Sequence, residues 1–448
     1  MIVDSVLINA KAYLSGQLED CSIAIEDGRI FKIGKETQMP QADQKIDLSN
    51  KLVLPGLIDE HVHLRDEGRS YKEDFTTGTH AAAAGGFTTV LDMPNNDPVT
   101  NSAQKLQNRM RLAKRKILVN VGFYSEFSKN LADIKAIVES GVVGFKLFMG
   151  SQVGGLDIDD DSALNEACKS LSELKVPLAV HAEDNQMLAA NEAALKKSKK
   201  SALTDFLRAH TEAVETAAIQ RVIKLGQNSK VQLHFCHVTS QGGLAVIAQA
   251  KKIGRLVTCE VTPNHLLLTN DDLPRLGGMA IIAPPLRDKS HREALWKGIK
   301  DGTVDTLGSD HAPHSVEEKN ASNVWEIKVG DPGLETTLPL MLTMVHQQRL
   351  GLNQVVKFLA EKPSEIYGLS DRGKIEANKT ADLTVVDYNC QFKIDASKFY
   401  SKAKYSPYNS WEVWGKPVKT FVGGQLIFNE GQIVSKAGSG AVLRRGIG

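Results

Sequence analysis

The sequence predicts an α/β fold: a (β/α)₈ TIM-like barrel with a small β-sandwich domain formed from both chain ends. Two observations carry that expectation. The middle of the chain alternates apolar runs with helical stretches, as a parallel strand–helix fold requires. Both ends read instead as short strands with tight turns, and chain ends often lie close together in a folded domain. A third observation weakens the nearest competitor. No GxGxxG follows the first strand of the middle region, which argues against a dinucleotide-binding open sheet.

Taken in order, SVLINAKAYL and CSIAIEDGRIFKIG read as strands, with Asp27-Gly28 marking a hairpin. The far end repeats the pattern in ADLTVVDYN and VKTFVGGQLIFNEGQIV, with Gly423-Gly424 at the turn. Residues 1–52 and 381–448 are therefore expected to pair into the β-sandwich, and residues 53–380 to form the barrel. Eight barrel strands are expected at Val53–Leu64, Phe87–Met93, Ile117–Tyr124, Val142–Phe148, Pro177–Ala182, Val231–Val238, Leu256–Thr262 and Thr303–His311. Helical stretches such as Ser102–Lys116, Asp160–Leu174 and Gln241–Ile253 fall between them. Eight such units over roughly 320 residues fit an enlarged barrel.

Bulk properties narrow the function. The 448 residues are 42% hydrophobic and 24% charged, with 54 basic and 53 acidic side chains giving a net charge of +1. No charge excess points to nucleic acid or to an acidic membrane surface, so a small-molecule partner is expected. The N-terminal segment lacks the basic start and long apolar stretch of a signal peptide. No apolar run reaches the ~18 residues of a membrane span. Five cysteines, odd in number and without a CxxC, suit a reducing cytoplasm better than a disulfide scaffold.

The strongest chemical signal is His61-Val62-His63, at the end of the first barrel strand. Side chains at i and i+2 share a strand face, so two imidazoles are expected together at the barrel mouth. The bland reading, two surface histidines in a loop, sits poorly with the apolar strand they end. Lys146 lies inside the apolar run VVGFKLFM. It is either a lysine snorkelling at a strand end or an amine carboxylated by carbon dioxide, a reaction that burial favours by lowering the amine pKa. His181, His237 and Asp310 end three further strands. Each alone reads as an ordinary polar residue, but ligand types ending strands one, four, five, six and eight converge on one mouth. Nitrogen and oxygen donors without thiolate suit zinc. Two zinc ions about 3.5–4 Å apart can share a hydroxide, with Asp310 a ligand that also carries the proton to the leaving nitrogen. Cys236 adjoins His237 and in a regular strand points to the opposite face, so an inert buried thiol is expected. His234, His265 and His311 are read as packing or supporting residues.

With these residues in place the chain resembles the amidohydrolase superfamily, and within it the dihydroorotase branch, from about Val53 to Asp387. The likeness rests on PGLIDEHVHLRDEG, GFKLF, VHAED, CHV, TCEVTPNHL, APPLRDKSHREALW, SDHAPHSVEEK and DPGLETTLPL. It implies two Zn²⁺ per subunit, held by His61, His63, Lys146 as a carboxylated lysine that bridges them, His181, His237 and Asp310. It assigns substrate contacts to His63, Arg65, Asn95, His314 and the backbone around Pro332 and Gly333. Arg65 follows His63 by two positions and so continues the same face, where a guanidinium can grip a carboxylate bidentately.

The implied reaction is the reversible interconversion of N-carbamoyl-L-aspartate and (S)-dihydroorotate in pyrimidine (UMP) biosynthesis. The likeness is also compatible with a homodimer and with association with aspartate carbamoyltransferase. Two departures keep an allantoinase or a dihydropyrimidinase/hydantoinase in view: a lysine where many bacterial relatives carry a bridging aspartate, and Ala283 where many carry asparagine. A non-catalytic scaffold is the remaining alternative, and the presence of all six ligand types argues against it.

Overall fold

A computed structural model describes residues 2–445; Met1 and residues 446–448, which the expected domain spans include, lie outside it. Eight parallel strands follow one another in chain order: Leu57–Val62, Phe87–Asp92, Asn120–Ser125, Gly144–Phe148, Leu178–His181, Leu233–Phe235, Val257–Val261 and Thr306–Leu307. The last strand meets the first through a parallel bridge between Val62 and His311, and the His63 N–H donates to the His311 carbonyl at 2.8 Å. The sheet thus closes into the expected barrel. These strands are apolar along most of their length because both faces are covered, one by the barrel interior and the other by helices. The helices at Ala103–Ala113, Asp161–Glu173 and Gln241–Lys252 begin where the side chains of Ser102, Asp160 and Ser240 accept backbone N–H groups. Each such cap is worth about 1 kcal/mol.

One expected strand is really two. The run Val53–Leu64 divides at Gly56 into Leu52–Pro55, which belongs to the terminal sheet, and Leu57–Val62, which opens the barrel. Apolar continuity hid the break. The chain crosses between the two layers at Gly56, where a Cβ would lie 2.3 Å from Thr88 Oγ1. Only glycine fits so close an approach.

Both chain ends build one nine-stranded sheet. Ile2–Leu14 pairs with Gln17–Glu26, Gln41–Asp47 and Leu52–Pro55. Leu52–Pro55 hands the sheet on to Leu383–Lys393 and, through it, to Glu412–Val422. Leu7, Ile23 and Ile25 from one end pack with Leu383, Val385, Val418 and Phe421 from the other. The two hairpin turns marked in the sequence meet: Ala381 donates its N–H to Gly28 and accepts one from Gly424, both at 2.9 Å.

Beyond Ile433 the chain leaves this sheet and returns to the barrel's N-terminal end. There the Leu443 N–H donates to the Val121 carbonyl at 2.8 Å. Leu443 joins Ile58, Leu91, Tyr124, Val143, Ala179, Cys236 and Tyr367 in an apolar floor. Among the described residues no helix is long and apolar enough to cross a membrane.

Candidate active site

Above that floor the strand ends surround a cavity of about 420 Å³ at the C-terminal mouth, lined in part by His61, His63, Arg65, Asn95, His181, His237, Asp310 and His314. Active sites of such barrels form at this end, from the loops that follow the strands.

The ligand candidates converge. His61 Nε2 and His63 Nε2 approach the same Asp310 oxygen at 3.3 and 3.2 Å. His181 Nδ1 and His237 Nε2 face one another at 3.1 Å, and the His61 and His237 rings are 5.2 Å apart between centroids. Lys146 is fully buried beneath them, its Nζ donating to Cys236 Sγ at 2.9 Å.

The outward-facing nitrogens are equally specific. His61 Nδ1 donates to Glu260 at 3.0 Å, His63 Nδ1 to Asn95 at 2.7 Å and His181 Nε2 to Glu183 at 2.9 Å. With their outer N–H groups committed to oxygen acceptors, the neutral rings of His63 and His181 turn lone pairs inward, whereas His61 is held between two carboxylates, Glu260 and Asp310. That outer hydrogen bonding is the pattern by which ligand histidines are oriented. His237 Nδ1 has no partner among the described residues, so its ring can turn either nitrogen toward His181 Nδ1 at 3.1 Å; imidazole nitrogens and a carboxylate gathered this closely are a donor set that fits a bound metal.

Electrostatics divide the rings: burial opposes a charge on His61, but Glu260 and Asp310 outweigh it and raise that imidazole well above its usual range. Burial, helped by the Arg65 charge, pushes the His63 imidazole down to about 4 despite the nearby Asp310. Burial with His181 and Lys146 drives His237 well below its usual range. Both rings are therefore neutral, the form that binds metal. Burial opposes ionisation of Asp310, but His61 and His63 outweigh it and hold the carboxyl below its usual range.

Arg65 follows the first strand in the left-handed region, at φ 61°. Its approach is fixed by the Leu64 N–H, which donates to Asp92 Oδ1 at 2.9 Å, and Asp92 is itself held by Arg109 Nε at 2.9 Å. Arg65 is 6% exposed; its Nε has no partner among the described residues, and Nη2 lies 3.3 Å from His314 Nε2. His314 is steadied by the Val329 carbonyl and by Lys72 Nζ, at 2.9 and 3.0 Å.

Two details differ from the expected arrangement. Val329 and Gly330 line the cavity, whereas Pro332 and Gly333, just after them, are not among its lining residues. A bridge between His311 and Asp331 holds this segment against the eighth strand, and the Gly333 N–H is spent on His311 Nδ1 at 3.2 Å. Cys236 does not point away from the site either: its sulfur meets Lys146 inside the barrel. His237 adopts φ 35°, which breaks the strand alternation and lets both neighbours face inward. His61, Cys236 and Glu260 in fact place their donor atoms within 4.8 Å of one another.

Three residues went unassigned in the sequence: Glu260, Glu183 and His210. Glu260 sits in an apolar strand just as Lys146 does, and Glu183 repeats the i, i+2 spacing after His181; both signals were readable. His210, whose Nδ1 donates to Glu183 at 2.7 Å, lies on a loop and carried none.

This barrel, closed by a two-ended sheet and crowned by a histidine–aspartate–lysine centre, belongs to the amidohydrolase family, whose profile matches residues 52–427. Within the family the chain is similar to the dihydroorotase of Bacillus cytotoxicus, 35% identical across 93% of this chain and 96% of the relative. It is also similar to the dihydroorotase of Methanothermobacter thermautotrophicus, 36% identical across 93% of each. Among solved structures it resembles the L-hydantoinase (dihydropyrimidinase) of Arthrobacter aurescens, with TM-score 0.95 and 32% identity over 99% of this chain and 100% of that one. The dihydropyrimidinase of Brevibacillus agri follows with TM-score 0.92 and 25% identity over 98% of each.

Proposed function

We propose that this protein is a dihydroorotase, a metal-dependent cyclic amidohydrolase that interconverts N-carbamoyl-L-aspartate and (S)-dihydroorotate in pyrimidine synthesis. The observation that carries the reading is Arg65, a guanidinium buried in the cavity wall with an unpartnered Nε and, among the described residues, no carboxylate paired to it. A buried charge without a partner is costly, so the site is completed by an anion brought in with the substrate. Dihydroorotate has a carboxylate at the ring edge; dihydrouracil and hydantoin have none. Arg65, with Asn95 beside it, holds that carboxylate.

Two zinc ions would be held by His61, His63, His181, His237 and Asp310, with Lys146 carboxylated between them. When bound they supply an activated water and polarise the amide carbonyl. Lys146 is suited to the modification: as an ammonium it has only a thiol at hydrogen-bond distance, whereas once that ammonium has given up a proton, addition of carbon dioxide to the neutral amine with loss of a second proton makes it an anionic carbamate among histidines. Asp310, held ionised by its neighbours, accepts a proton at its carboxylate and returns it to the ring nitrogen as the amide bond breaks.

The close likeness to hydantoinase structures favours one other reading, hydrolysis of an uncharged cyclic ureide. A panel of dihydroorotate, dihydrouracil, hydantoin and allantoin with metal-replete enzyme separates the two. Dihydroorotate is expected to have the highest kcat/KM; a clear preference for an uncharged ring would replace this assignment with the second.

A further inference from the structure

We infer that His210 is a substrate-binding residue, whose Nε2 accepts a hydrogen bond from a ring N–H of a cyclic ureide on the side away from its carboxylate. The inference rests on the functional reading above and adds a contact to it.

His210 lies on the cavity wall, 4% exposed, and its Nε2 has no hydrogen-bond partner among the described residues. A buried ring nitrogen left unpaired is costly, and such groups are normally satisfied. Everything else about the residue is fixed. The ring stacks on Phe206 with centroids 4.0 Å apart. Its carbonyl accepts from Arg287 Nη1 at 3.1 Å, and its N–H donates to Phe206 at 3.1 Å. A residue on the cavity wall that is held this firmly, with one buried side-chain atom left without a partner, is prepared for a ligand.

The tautomer sets the sense of the contact. Glu183 is 1% exposed and lies between two histidines: Oε2 accepts from His181 Nε2 at 2.9 Å and Oε1 from His210 Nδ1 at 2.7 Å. A neutral His210 therefore carries its proton on Nδ1, which leaves a lone pair on Nε2. That nitrogen takes a donor, and a cyclic ureide offers its ring N–H groups.

Topology sets which one. Arg65 follows the first barrel strand and His210 lies beyond the fifth, before the sixth. In a closed barrel of eight strands in sequential order, the first and fifth are diametrically opposed. With the carboxylate on Arg65, the nitrogen reaching the opposite wall is the one para to the carboxylate-bearing carbon, N3 of dihydroorotate.

The test compares dihydroorotate with its N3-methyl analogue on zinc-loaded wild type, His210→Phe and His210→Gln. His210→Phe keeps an aromatic ring against Phe206; His210→Gln restores an acceptor. Wild type is expected to prefer the N–H substrate, and His210→Phe to lose about tenfold to a hundredfold of that preference in kcat/KM, mainly through KM, with metal content unchanged. His210→Gln should recover part of it. A purely structural role would lower activity on both substrates equally. Undiminished discrimination in His210→Phe with wild-type metal content overturns this inference alone, whereas wild type inactive on dihydroorotate overturns the functional reading and this contact with it.

Discussion

The two ends of the barrel interior are built by the same strands and differ in nearly every physical respect. At the floor, Ile58, Leu91, Val143 and Ala179 fill the space with apolar side chains. A few residues further along those strands or the loops after them, His61, Asn95 and His181 line a cavity and Lys146 lies fully buried. The floor is packed through apolar contacts, although the Tyr367 hydroxyl there has no partner among the described residues. The mouth leaves Arg65 Nε, His210 Nε2 and His237 Nδ1 unpaired in the described structure. Packing is finished by the chain itself, whereas the site is finished by what it binds, so damage at the two ends should register in different measurements.

Lys146→Ala tests that division most severely. Losing the centre of the ligand set should remove bound zinc and with it several kcal/mol of transition-state stabilisation, at least about a thousandfold in turnover. Short carboxylic acids should restore part of both. Metal analysis beside kinetics checks it, and full activity with two zinc ions retained would remove Lys146 from the centre. Arg65→Met should cost about 2–5 kcal/mol of substrate recognition, roughly 30- to several-thousand-fold in kcat/KM for dihydroorotate, with zinc content unchanged. Near-normal kcat/KM would place the carboxylate elsewhere.

Ile58→Ala is the opposite experiment at the other end of the strand that carries His61. It should lower stability by about 2–5 kcal/mol, seen in the unfolding midpoint, and leave kcat of the folded enzyme near that of wild type. A large kcat effect without destabilisation would mean that floor and mouth are not separable.

The smallest expected effect lies in the polar rim below the floor. There Arg372 joins Asp371 and Asp382 at 3.0 and 3.2 Å. Burial works against ionisation of Asp371, but Arg372 and Thr380 hold its carboxyl down at about 2, below the ordinary 3.8. A carboxyl with a lower pKa folded than unfolded adds stability above the unfolded value and loses it as pH falls through the folded one. Asp371→Asn should therefore lower stability at neutral pH slightly and flatten its acid-side decline between about pH 4 and 2. An unchanged acid limb would show that the pair contributes nothing measurable.

Much of this division was legible in the sequence because it depends on where residues fall along strands. His61, His63, His181, His237 and Asp310 all end apolar runs, and a parallel barrel sends all such ends to one mouth. What stayed hidden depends on contacts between distant segments. Nothing local tells Glu260 that His61 will lie beside it, or His210 that Glu183 will. Nor does local pattern reveal that His237 adopts a positive φ and turns Cys236 toward Lys146. The Gly56 break and the inward turn of Gly333 were missed for the same reason: each is decided by a neighbour, Thr88 or Ser309, remote in the chain.

The pairing of Pro55 with Leu383 also constrains the order of events during synthesis. At about 5–20 residues per second, the amino-terminal strands leave the ribosome tens of seconds before the segment that completes their sheet, and Leu443, which seals the floor, emerges later still. Throughout that interval the barrel strands are available while their terminal sheet and floor are unfinished. The nascent chain thus passes through a long stage with exposed strand edges, when protection by chaperones matters most.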